Sequence, residues 1–159
     1  MRTLLATLLF LPTIALASLE DLVGEKLINA SGEDVATSSL DSKLYGLYFS
    51  AAWCPPCHFF TPKLVQFQEE HKDRFQVIFV SDDNSAAEQK KYMEEFKMPW
   101  PAVPYDSKER ETLAKKYDIV GIPSLIVLDS KNNVVSTQGV VQVMQNPSGA
   151  IAEWAKKAK

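Results

Sequence analysis

The 159-residue chain holds two cysteines, Cys54 and Cys57, in the run Trp53-Cys54-Pro55-Pro56-Cys57-His58. A thiolate attacks disulfides, and a second thiol one helical turn away can attack the mixed disulfide that results. Cys54 is therefore read as the nucleophile and Cys57 as the resolving thiol, the two closing a Cys54–Cys57 disulfide when oxidised. Pro55 and Pro56 suit the first turn of a helix, where a missing N–H leaves no bond unmade. They place Cys54 at the helix N-terminus, where unpaired N–H groups and the helix dipole favour a thiolate over a thiol. Such a position lowers a cysteine pKa from about 8.5 to about 7 or below.

Other readings of these residues stand beside this one. A structural disulfide across so short a loop would restrict little of the unfolded chain. Cys54-Pro55-Pro56-Cys57-His58 also satisfies the C-x-x-C-H pattern of c-type haem attachment. Against haem, two prolines stiffen a loop that must pass around a porphyrin edge, and the surrounding elements match no small helical cytochrome. His58 then reads as a partly exposed residue of the first helical turn, beside the thiolate. The remaining histidine, His71, lies in the polar run Glu69-Glu70-His71-Lys72 and reads as solvated. Two cysteines are too few for a four-thiolate zinc site. No metal is expected, and no cofactor beyond the redox-active disulfide.

The elements that must hold the dithiol are readable on either side of it. Leu44 to Phe49 is an apolar, aromatic run of strand length, and Phe59, Phe60, Leu64, Val65 and Phe67 fall mainly on one side of a following helix. Gln76 to Val80 and Ser124 to Leu128 predict two more buried strands, and Val134-Val135 begins a fourth. Helices are predicted over Ala86 to Phe96, Glu109 to Tyr117 and Pro147 to Lys156. Lys26 to Asn29, Ser31-Gly32 and Val35 predict a hairpin ahead of them. Strands alternating with helices argue for an α/β architecture with a mixed sheet.

Composition bounds the function. Hydrophobic residues make up 46% and charged residues 23%, and the net charge is −3. That is an ordinary globular balance, without the basic excess that nucleic-acid binding needs. Met1 to Ala17 carries one early positive charge at Arg2, a mostly apolar stretch from Leu4 to Leu16, and a small-x-small ending at Ala15-Leu16-Ala17. That order predicts a secretory signal cleaved after Ala17, too short to span a bilayer. It leaves residues 18–159 as one domain, periplasmic or secreted.

With Trp53-Cys54-Pro55-Pro56-Cys57, then Pro62, and Gly121-Ile122-Pro123 before a strand, the chain resembles thioredoxin-fold proteins, and more closely their tryparedoxin/nucleoredoxin-like branch. Tyr48 to Cys57, Phe60 to Leu64, Val77 to Ser81, Met98-Pro99-Trp100, Ala102-Val103-Pro104 and Val120 to Asp129 carry the resemblance. It implies a thioredoxin fold, a central mixed β-sheet flanked by helices, here with an N-terminal hairpin extension. It also implies that Pro123 is a cis-proline facing the dithiol, where the residues alone read equally as a strand-starting proline. Ile122 then offers its backbone to a substrate strand, and Ile at that position accompanies reducing members. Trp53 and Trp100 are expected to flank the dithiol, with Trp100 and His58 facing the substrate.

The departures are specific. Tyr48 stands where thioredoxins carry a buried aspartate, which leaves the proton carrier for Cys57 unassigned. His58 replaces an arginine, and Asp82-Asp83-Asn84 replaces a Trp-Asp-Glu segment. Gln138, Gly139 and Val140 stand where trypanosomal members carry arginines for polyamine-linked glutathione, so that substrate is not carried over. The resulting expectation is an exported, monomeric thiol–disulfide oxidoreductase, more reductase than oxidase. It would act on protein substrates and be recharged by a membrane thiol carrier. A non-enzymatic binding module using the aromatic face is the competing class.

Overall fold

The computed structural model describes residues 18–158. The predicted signal segment, Met1 to Ala17, lies outside them. In chain order the elements are α1 (Leu19–Val23), β1 (Lys26–Ile28), β2 (Asp34–Ala36), a 3-10 turn (Thr37–Ser39), β3 (Leu44–Ser50), α2 (Pro55–His71) and β4 (Phe75–Ser81). They continue with α3 (Ala86–Glu95), α4 (Lys108–Lys116), β5 (Ser124–Asp129), β6 (Val134–Ser136), α5 (Gly139–Gln145) and α6 (Pro147–Lys157).

The main sheet has the order β4-β3-β5-β6. Strand β3 runs parallel to β4 and antiparallel to β5, and β5 runs antiparallel to β6. All seven residues of β3 are buried, as a central strand covered on both faces requires. Its side chains alternate between two cores. Leu44 and Tyr48 join Phe60, Leu64, Phe67 and Trp154 on the α2 face. Tyr45, Leu47 and Phe49 join Leu22, Leu113 and Ile126 on the α1 and α4 face. Each large apolar side chain buried this way contributes about 1.5–3 kcal/mol. Gly46 is required by this packing, because a Cβ there would come within 2.6 Å of the Phe75 ring.

The predicted hairpin is present as β1–β2, and the segment after Trp100 ties it to the sheet. Ile28 and Ala102 exchange backbone hydrogen bonds at 2.9 and 2.8 Å, while Phe79 of β4 donates to Pro101 and accepts from Val103. The edge of β4 is thereby covered, which guards it against pairing with another chain.

Helix α1 and helix α5 are additions to the sequence-based expectation. Helix α1 is one short turn closed by a reciprocal cap, with Ser18 accepting from Asp21 N–H and Asp21 accepting from Ser18 N–H. Helix α5 has the sequence Gly-Val-Val-Gln-Val-Met-Gln, rich in β-branched residues that disfavour helix locally. Packing overrides that preference, with Val143 buried in the α2-side core and Gly139 so close to β5 that a Cβ would meet Leu125 O at 2.7 Å. Gln138, Gly139 and Val140, the positions matched above to the trypanosomal arginines, are thus the cap and first residues of this helix.

Candidate active site

The buried run of β3 ends at Ser50, and the chain passes through Ala51, Ala52 and Trp53 into α2. Cys54 is the N-cap of α2, with Pro55 and Pro56 in its first turn. Its Sγ accepts from the Cys57 N–H at 3.3 Å, so a sulfur takes the role that a serine or aspartate oxygen usually fills. Sequence chemistry thus sets the helix start: prolines that tolerate the first turn, and a cap atom that gains from negative charge.

Cys54 and Cys57 form a disulfide with Cα atoms 5.2 Å apart. Their environments differ. Cys57 is fully buried, while Cys54 borders an open groove of about 490 Å³. An incoming sulfur can therefore reach Cys54 only. The groove is formed by Trp53, Phe49, Arg110, Ile119 and Ile122 around Cys54. Trp53 is 54% exposed and Val120 94% exposed on its rim, and the Trp53 indole is steadied by donating to Asp82 O at 2.9 Å. The Ile122–Pro123 peptide bond is cis, and Ile122 O lies 3.8 Å from Cys54 Sγ. The loop before β5 and the start of α2 therefore meet at the reactive sulfur. Pro62 sits within α2 on its exposed side, two turns past Cys54.

Two expected positions are corrected. Trp100 does not face a substrate. It is 1% exposed and packs edge-on against Tyr48 with ring centres 6.3 Å apart, inside the α2-side core. Its place follows from Pro101 to Val103, which hydrogen-bond along β4 and draw the preceding indole inward. His58 is exposed, but its ring is engaged with Ala52 O, Tyr92 and Phe96. It braces the loop before Cys54 against α3 and does not point into the groove. The same contacts count against the haem reading, since thioether attachment uses both sulfurs and the histidine as ligand, and here Cys57 is buried and His58 is engaged with Ala52 O.

Beneath Cys57 lies a buried hydroxyl network that the sequence reading missed. Thr61 Oγ1 donates to Cys57 O at 2.8 Å and lies 2.8 Å from Tyr48 Oη and 2.7 Å from Tyr92 Oη. Ser50 Oγ lies 3.0 Å from Tyr92 Oη. Thr61 has one proton, and it is spent on Cys57 O, so both phenols must donate to Thr61 and Ser50 must donate to Tyr92. Burial, with Tyr92 adding to it, holds the Tyr48 phenol well above its ordinary pKa. Tyr48 thus replaces the usual aspartate as a neutral, structural donor.

Asp83 is the other residue missed. It is buried at 4% exposure. Its carboxylate accepts from Ala52 N–H at 2.6 Å and from Ser81 Oγ at 2.6 Å, tying the end of β4 to the loop that carries Cys54. Burial raises its pKa despite those bonds. The folded protein then keeps a proton that the unfolded chain releases, so stability falls as pH rises from the usual carboxylate range, near 4, through the raised value. Above that value the effect is constant. Asp83→Asn retains an oxygen for Ala52 N–H and is expected to abolish this component of the pH dependence. Urea midpoints from about pH 3 to pH 8 measure it, and an unchanged profile in the variant excludes Asp83 as its source.

A capping cysteine over an open groove, a buried partner one turn along and a proline loop across from both define a thioredoxin-fold dithiol–disulfide site. Comparison with known proteins agrees. A thioredoxin-like family model matches residues 41–134. Nucleoredoxin of Bos taurus is 40% identical over 141 residues, 86% of this chain. That match covers 32% of nucleoredoxin, so the chain spans about a third of that relative. Tryparedoxin of Trypanosoma brucei brucei is 38% identical over 132 residues, 80% of this chain and 90% of the relative. The crystal structure of thioredoxin from Wuchereria bancrofti superposes with a TM-score of 0.73 at 39% identity, covering 86% of this chain and 98% of that one. The chain belongs to the thioredoxin-like family, among its nucleoredoxin- and tryparedoxin-like members.

Proposed function

We propose that the chain is an exported reductase of protein disulfides. The cycle begins with the Cys54 thiolate attacking a substrate disulfide in the groove, forming a Cys54–substrate S–S bond and expelling one substrate thiolate. The Cys57 thiolate then attacks Cys54 Sγ, closing Cys54–Cys57 and releasing the second substrate sulfur. A dithiol donor, in this reading a membrane thiol carrier, restores the pair by the same two exchanges in reverse. The observation that carries this reading is the asymmetry of the pair, a capping sulfur that lines the groove at 3% exposure and a partner at 0% that does not reach it. It lets the mixed disulfide form at one sulfur and be cleared from within.

The reducing direction is supported by Ile122 ahead of Pro123. Equilibration with glutathione tests it: a potential near about −270 mV supports a reductase, and one near about −120 mV overturns it in favour of an oxidant. Export is supported by the order of residues in Met1 to Ala17. Among the described residues no helix is long and apolar enough to cross a membrane. The relatives named above come from animals and a trypanosome, which favours secretion over a periplasm. Polyamine-linked glutathione is not the expected substrate, since Gln138, Gly139 and Val140 offer no cation. The enzyme is expected to act as a monomer.

Trp53 supplies the exposed apolar wall of the groove. Trp53→Ala is expected to lower kcat/KM for a protein disulfide about tenfold, about 1.4 kcal/mol of lost docking. The loss should appear chiefly in KM, with the urea midpoint little changed. An unchanged KM for insulin would remove Trp53 from the docking surface.

A further inference from the structure

We infer that Asn29 is an N-glycosylation acceptor, an inference that rests on the export reading above. Asn29-Ala30-Ser31 is the chain's one Asn-x-Ser/Thr triplet without an intervening proline. Asn146-Pro147-Ser148 is barred by Pro147. The triplet sits at the β1–β2 turn, with Ser31 and Gly32 both exposed. Gly32 has a φ of 84° and no atom within 4 Å of where a Cβ would be. The tip of the turn is therefore open to solvent, with Asn29 half-buried at its base on the rim of a recess.

The folded turn can keep the modification. Asn29 Oδ1 accepts from the Glu33 N–H at 2.9 Å, and Nδ2 donates to Glu33 Oε2 at 2.9 Å. The amide nitrogen carries two hydrogens and spends one on Glu33. Replacing the other by a sugar leaves both bonds to Glu33 possible. Beside the turn is a recess of about 390 Å³, with the exposed Pro99 on its border, against which the first sugar can lie. Gln76, near the start of β4, also borders the recess. Cys54 follows the opposite end of β3, so about five residues of strand, roughly 15 Å, separate the glycan from the dithiol. The redox groove stays open.

The co-reactant is a polyprenyl-diphosphate-linked oligosaccharide with its transferase, which a eukaryotic secretory compartment supplies. Asn29 Nδ2 bonds to the anomeric carbon of the donor's first sugar, and the bond from that carbon to the phosphate oxygen breaks. The polyprenyl diphosphate leaves with the electron pair, and the amide proton passes to the transferase. No oxidant or reductant takes part.

The test expresses the full chain in cultured eukaryotic cells, with a second version in which residues 1–17 are exchanged for a proven secretory signal. Peptides containing Asn29 are then compared by mass before and after peptide N-glycosidase. The expected result is secreted protein whose Asn29 peptide loses a glycan mass on treatment. Asn29→Gln and Ser31→Ala should both abolish that mass while disulfide reduction is unchanged. Secreted protein with unmodified Asn29 overturns the inference and leaves export standing. Retention of the full chain in the cytosol overturns export, and the exchanged-signal version then decides: an unmodified Asn29 overturns the acceptor site, and a modified one supports it.

Discussion

Cys54→Ser is expected to bring insulin-disulfide turnover down to the uncatalysed rate, a loss on the order of a thousandfold or more. Serine is nearly isosteric and can still cap α2 by accepting from the Cys57 N–H, so the fold should survive the change. What disappears is the only sulfur among the described residues that borders the groove. The remaining thiol at Cys57 is fully buried and cannot take over the attack. Cys57→Ser is expected to behave differently. It should keep the first exchange and lose the second, so that a mixed disulfide with substrate accumulates at Cys54. Non-reducing gels and mass spectrometry of the trapped species read that directly, and they also identify partners. Equal turnover in wild type and Cys54→Ser would sink the enzymatic mechanism, and a mixed disulfide at Cys57 would overturn the assignment of roles.

Much of this site is legible in the amino-acid sequence. The β3 run, the Cys-Pro-Pro-Cys start of α2 and the Ile122-Pro123 loop each announce themselves locally, through apolar periodicity or through residues with few backbone options. Trp100 shows where local reading stops. Whether its indole faces solvent or core is decided by the pairing of Pro101 to Val103 with Ile28 and Phe79, bonds that join three distant segments. Helix α5 escapes notice for a related reason, since contact with Leu125 and the α2-side core outweighs the β-branched preference of its valines. Asp83 and Tyr92 are easily passed over, because an acidic run after a strand reads as solvated and a tyrosine in a helix reads as packing. Their meaning appears only when Ala52 and Thr61 are brought beside them.

The hydroxyl network under Cys57 makes the sharpest stability prediction. Thr61→Val preserves shape but removes the oxygen to which Tyr48 and Tyr92 both donate. Both phenols are buried, and a buried donor left unmade costs about 1–3 kcal/mol. Tyr92 can turn toward Ser50 Oγ, though Tyr48 is walled in by Phe60, Phe79 and Trp100. The variant is therefore expected to lose about 2–4 kcal/mol, read as a lower urea midpoint at unchanged slope. Tyr48→Phe removes the donor together with its need for a partner and should cost only about 1 kcal/mol. The double variant Thr61→Val with Tyr48→Phe should then be more stable than the two losses summed, because the orphaned phenol is gone. The same pair separates support from proton transfer. If Tyr48 only donates to Thr61, Tyr48→Phe leaves the pH–rate profile of mixed-disulfide resolution where it was. A displaced profile would make Tyr48 part of the proton path from Cys57, and strict additivity in the cycle would dissolve the network as a unit.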